Sequence, residues 1–119
     1  MHTPTFERGD VVRVPFPYTD RETRQRRPAL VVSDGGLGDG RRLLWVVMIT
    51  SATNRPRPGD ISLADDFSDV GLPAPSVIRP SKIATIEARH ADRIGRLDAA
   101  RIATVGTTLA TCLGLRSVG

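Results

Sequence analysis

The chain has 119 residues, of which 39% are hydrophobic and 25% charged, enough for one domain (residues 1–119) with one modest core and too few for two. A single cysteine, Cys112, excludes an intrachain disulfide and a cysteine-built metal cluster. The formal charge of +4 is carried almost wholly by arginine, sixteen residues against the lone Lys82. The planar guanidinium fork suits phosphate, although a GC-rich coding bias enriches arginine in the same way. No apolar run of signal-peptide or membrane-span length opens the chain, so the expectation is a cytoplasmic protein without a membrane partner.

After a polar lead, Val11, Val12 and Val14 form a first strand stopped by Pro15 and Pro17. Phe16 and Tyr18 flank the prolines; they pack under the following loop, or Tyr18 stacks on a base. Residues 19–27 hold no apolar side chain and carry Arg21, Glu22, Arg24, Arg26 and Arg27. Pro28 restricts Arg27 to extended backbone and so holds it more firmly than its neighbours. Residues 29–32 are a second strand, apolar on both faces and therefore central. Glycine-rich turns lead to residues 43–49, the most apolar run, which is of strand length and surfaces at Thr50 and Ser51.

Residues 54–59, with Pro56 and Pro58, are loop, and Ile61 and Leu63 mark a half-exposed strand. Residues 65–75 are loop with Leu72 tucked in. Residues 77–78 and 82–86 read as strand interrupted by Pro80-Ser81, with a helical turn at 87–90 and a short strand at 93–97. Asp98 is a good N-cap for a helix over residues 99–113, stopped by Gly114. Ile102, Val105, Leu109, Cys112 and Leu113 fall on one apolar stripe, which predicts that Cys112 is buried. Gly106 on this helix permits close packing. The architecture that follows is mainly β: about six short antiparallel strands curled into a small barrel with one C-terminal α-helix.

Charge is segregated. Residues 21–57 hold eight arginines against three acids, and residues 60–69 hold four aspartates and no base. A basic front with a separate acidic loop fits a polyanion binder. Phosphate-loop, dinucleotide, zinc-protease and C-x-x-C motifs are absent. His2 and His90 are isolated, which disfavours a histidine-pair ribonuclease. Asp65, Asp66 and Asp69 are read as a solvated loop, so no metal site and no cofactor are assigned.

The strings GDVVRVPFPYTD, RRPALVVS, WVVMITS, SVIRPSKIATI and RIGRL, in this order, closely resemble the MazF/PemK family of toxin–antitoxin toxins over residues 8–114. The resemblance implies an SH3-like barrel shared with CcdB-type gyrase poisons, and a homodimer. It also implies a metal-independent endoribonuclease acting on single-stranded mRNA or tRNA, and a cognate antitoxin that covers the RNA groove. Carried over by position, Arg27 before the proline, Thr50 at the strand end with Ser51 beside it, and Glu22 in the first loop become the catalytic candidates. Lys82 stands where the family often has glutamine. Arg21, Arg24, Arg26, Lys82, Tyr18, Arg55 and Arg79 are the expected RNA contacts. RNA brings its own 2′-hydroxyl nucleophile, so orientation, charge stabilisation and proton transfer suffice. The competing reading is a non-catalytic SH3-like module or a CcdB-like gyrase poison acting by protein binding.

Overall fold

A computed structural model of the protein describes residues 5–15 and 25–115. Among them six strands form one sheet: β1 (Asp10–Pro15), β2 (Arg26–Val31), β3 (Leu43–Ser51), β4 (Ile61–Leu63), β5 (Ser76–Glu87) and β6 (Asp92–Arg96). One α-helix, α1 (Ala99–Cys112), follows. The spatial order is β4-β5-β3-β2-β1-β6, and every neighbouring pair is antiparallel. The most apolar segments, β2 and β3, take the central places and bury side chains on both faces. The expected mainly β fold with a C-terminal helix is the one observed, as a curled half-barrel.

Strand alternation divides the core in two. Val12, Val14, Ala29, Val31, Leu44, Val46 and Met48 pack on one face with Phe6 and Ile86. Val11, Leu30, Val47, Ile49 and Ile78 pack on the other with Leu63, Leu72 and Val105 of α1. Curling brings the 3₁₀ turn Phe67–Val70, which follows β4, against β6. There Gly71 and Gly95 let the two backbones meet.

The sequence reads β5 as two pieces, whereas the structure has one strand with a bulge. Met48 pairs with Arg79 and the next residue back, Val47, pairs with Ile83. Pro80, Ser81 and Lys82 are left bulged between them, where a proline without an N–H fits a strand. Asp10 reads as a turn residue yet is buried. Its carboxylate accepts hydrogen bonds from Arg93 Nη2 (2.9 Å), Arg96 Nη1 (3.1 Å) and the Glu7 amide (2.8 Å), tying β1 to β6.

Asp98 caps α1 as expected, accepting from the Arg101 amide at 3.1 Å. The stripe is buried only at Val105, with Ile102 and Leu109 half-buried. Cys112 is exposed, contrary to the expectation, and Leu113 is 72% exposed. The last helical turn overhangs an open apolar groove lined by Trp45, Ile83, Leu109, Cys112, Leu113 and Leu115. A Cβ built at Gly106 would meet no atom of another element within 4 Å, so this glycine serves no close approach in the single chain.

Candidate active site

The site grows from the ends of β2 and β3. Their register pairs Ala29 with Met48 and Leu30 with Val47. Carried two residues further, it sets Arg27 across from Thr50. Alternation gives the same answer for the faces: Arg27 shares parity with Ala29 and Val31, and Thr50 with Met48 and Val46, all on one side of the sheet. On its other side Arg27 pairs with Val14 of β1, a member of that same face. Pro28 has no N–H to donate, and the β2–β3 ladder ends beside it at Ala29 and Met48. β2 and β3 therefore stop pairing with each other where these two polar side chains begin, while β1 still pairs with Arg27 and β5 with Thr50.

Thr50 is half-buried, and its Oγ1 accepts a hydrogen bond from Asn54 Nδ2 at 2.6 Å. Arg27 is also half-buried, and its Nη2 donates to Gln25 Oε1 at 3.1 Å. Ser51 falls on the opposite parity, and its Oγ caps the turn, accepting from the Thr53 amide at 3.2 Å and meeting Thr53 Oγ1 at 2.8 Å. The structure thus brings Arg27 and Thr50 to one face and leaves Ser51 in turn geometry.

Arg79 shares the face of Thr50, since it pairs with Met48. Three of its five N–H donors are committed within the chain. Nε and Nη2 fork onto the two oxygens of Asp60 at 3.1 and 2.9 Å, and Nη2 also donates to the Arg55 carbonyl at 3.0 Å. The two side chains are only 11% and 10% exposed. Arg79, expected on RNA, therefore braces the loop of residues 52–60. Arg26 is likewise engaged away from this face, with Asp92 and the carbonyls of Arg13 and His90. Arg55 and Lys82 are exposed, Lys82 at the β5 bulge. Tyr18, Arg21, Glu22 and Arg24 lie outside the described residues.

The hydrogen bond from Arg79 holds the Asp60 carboxyl below the usual carboxylate value, against the opposing effect of burial. The same pairing raises Arg79. A depressed carboxyl contributes stability that is complete above its unfolded value of 3.8 and fades as pH falls through the lower folded value. Asp60→Asn is expected to destabilise the fold by on the order of 3 kcal/mol at neutral pH. Denaturant titrations should show the gap from wild type closing below that unfolded value; a gap unchanged down to about pH 2 would contradict the assignment. In the acidic loop, Asp66 receives a two-pronged contact from Arg101 at 2.8 and 2.9 Å.

Sequence reasoning missed Asn54 and Asp60. Asp60 had one signal, a carboxylate closing a Pro-Gly turn directly after the arginine-rich region, set apart from Asp65, Asp66 and Asp69. Asn54 had none beyond lying four residues after Thr50.

Residues 7–113 match the model of the PemK-like, MazF-like toxins of type II toxin–antitoxin systems. The chain belongs to this family. The MazE–MazF structure from Deinococcus radiodurans superposes with a TM-score of 0.70 at 22% identity, over 95% of this chain and 99% of that one. A mycobacterial endoribonuclease solved with its cognate antitoxin gives 0.67 at 23% identity, over 99% and 100%. The toxin MazF-mt6 of Mycobacterium tuberculosis gives 0.67 at 18%, over 91% and 99%. No curated protein matches the chain. At these identities the structural likeness establishes the MazF fold, and the family match makes the chain a MazF/PemK toxin of a toxin–antitoxin system. No helix among the described residues is long and apolar enough to cross a membrane.

Proposed function

We propose that this MazF/PemK toxin is a metal-independent endoribonuclease that cuts single-stranded RNA. The observation that carries the reading is the placement of Arg27 and Thr50 on one face, at facing ends of β2 and β3. The 2′-oxygen attacks the adjacent phosphorus and the bond to the 5′-oxygen breaks, leaving a 2′,3′-cyclic phosphate and a 5′-hydroxyl. DNA lacks the attacking group. Arg27 forks onto the non-bridging oxygens as charge builds, and the Thr50 hydroxyl donates to the same phosphate. A guanidinium offers donors and no acceptor, so Arg27 is no base. Glu22 takes the 2′-proton, and Lys82 places a cation, or a proton, near the leaving oxygen. Arg21, Arg24, Arg55 and Tyr18 contact the flanking nucleotides.

The test is incubation of purified toxin with labelled single-stranded RNA in EDTA, with chemical analysis of the ends. Cyclic phosphate and 5′-hydroxyl ends are expected. Intact RNA, or activity restored only by Mg²⁺, would overturn the reading. Intact RNA together with binding to gyrase would favour the CcdB-like alternative.

The proposal includes a cytoplasmic homodimer and a cognate antitoxin. Supporting the antitoxin, the Deinococcus radiodurans relative was solved as MazE–MazF and the mycobacterial one with its cognate antitoxin. Supporting the dimer, Trp45 (50% exposed), Ile83 (53%) and Leu113 (72%) form one open apolar face beside α1, a composition suited to burial against a second copy. Sedimentation of wild type as a dimer and of Ile83→Asp as a monomer is expected. A wild-type chain that sediments only as a monomer at micromolar concentration would contradict it.

A further inference from the structure

A threonine hydroxyl has one proton to give and two lone pairs to receive with. It stabilises a phosphate only when that proton points at the phosphate oxygen. A free hydroxyl rotor at a strand end has no such preference. In this chain Thr50 Oγ1 is not left to rotate freely, because Asn54 Nδ2 donates to it at 2.6 Å. One lone pair is occupied by an amide donor, and the hydroxyl proton is thereby turned away from Asn54.

Asn54 is itself held from both sides of the loop. Its backbone N–H donates to the Ser51 carbonyl at 3.1 Å, within the turn that Ser51 and Thr53 build. The next residue, Arg55, gives its carbonyl to Arg79 Nη2 at 3.0 Å, and Arg79 is locked to Asp60 at the far end of the same loop. The loop of residues 52–60 is thus pinned to β5 on the face where Thr50 and Arg79 both project. The path runs by hydrogen bonds from Asp60 through Arg79 to the Arg55 carbonyl, along the backbone to Asn54, and by a hydrogen bond on to Thr50.

We propose that Asn54 is a positioning residue of the ribonuclease site, orienting the Thr50 hydroxyl as a donor to the scissile phosphate, with the Arg79–Asp60 clamp holding its loop in register. This rests on the function proposed above. Asn54 acts through Thr50, so its removal is felt in the transition state, where the phosphate charge is greatest, more than in ground-state binding.

The experiment is a double-mutant cycle on an oligoribonucleotide selected from the sites that wild type cuts in a random RNA pool. Asn54→Ala is expected to lower kcat roughly tenfold, the size of one hydrogen bond, with KM changed less than about twofold. In the Thr50→Ala background it is expected to have no further effect. Asn54→Asp offers acceptors only and draws the Thr50 proton toward itself, so it is expected to be slower than Asn54→Ala. Thermal melts of all variants check the fold. Equal losses in both backgrounds, or Asn54→Asp as fast as wild type, would overturn the positioning role while leaving the ribonuclease reading intact. A Thr50→Ala variant with full activity, or a wild type that cuts no RNA, would overturn both.

Discussion

Arg27→Ala and Thr50→Ala are each expected to lower RNA cleavage by roughly two or more orders of magnitude, the size seen when one donor to a developing oxyanion is removed. Both variants should fold, because each side chain lies past the last paired residues of the β2–β3 ladder and neither fills the core. Arg27→Lys should recover only part of the rate, since an ammonium supplies charge without the fork. The two losses should not add, because both groups act on one phosphate and the second removal acts on an already weakened transition state. The measurement is single-turnover cleavage, with a melting curve for each variant. Wild-type rates in either alanine variant would remove it from the site.

The second large effect concerns the seam that closes the sheet. Gly71→Ala is expected to destabilise the protein by roughly 3–5 kcal/mol, a large share of the ~5–15 kcal/mol that holds such a domain. Two costs combine at this residue. Its φ is +88°, where a Cβ is strained, and that Cβ would stand 2.0 Å from the Ile94 carbonyl oxygen and 2.7 Å from its carbon. Backbone on both sides leaves no flexible side chain to yield. Gly95 makes the reciprocal approach, a Cβ there falling 2.0 Å from the Val70 oxygen. Relief would separate the Phe67–Val70 turn from β6 and expose Val70 and Leu72, both now buried. Gly106→Ala is the control. It adds a methyl where nothing lies within 4 Å, on a helix that prefers alanine by about 1 kcal/mol. Melting should therefore fall by about 10 °C or more for Gly71→Ala and rise slightly for Gly106→Ala. Equal melting temperatures would show that the seam is not structural.

The contrast between these two glycines shows what the sequence could convey. Apolar period and turn chemistry are local, so residues 43–49 and the Asp98 cap gave β3 and α1 at almost their observed bounds. The close approach of Gly71 to β6 joins segments more than twenty positions apart, and no local pattern reports it. The same holds for charged side chains. Arg79 reads as one more cation of a basic front, yet three of its N–H bonds are spent on Asp60 and Arg55 because the chain folds that loop back over β5. Asp10 reads as a turn residue, yet two arginines from β6 gather on it. Cys112 keeps the helical period but lines an open groove with Trp45 and Ile83, so periodicity promised a burial that a single chain does not supply. At the candidate site the Arg-Pro step and the strand-end threonine were legible. Asn54 was not, because its role comes from a turn that only the folded backbone defines.

The most direct measurement is a crystal structure of the toxin with an oligonucleotide made uncleavable by a 2′-deoxy substitution at the cut site. One phosphate is expected within hydrogen-bond reach of both the Arg27 guanidinium and Thr50 Oγ1, with Asn54 still donating to that hydroxyl. An oligonucleotide bound instead along α1 and Trp45, or a phosphate that touches Arg27 with Thr50 turned away, would contradict the account.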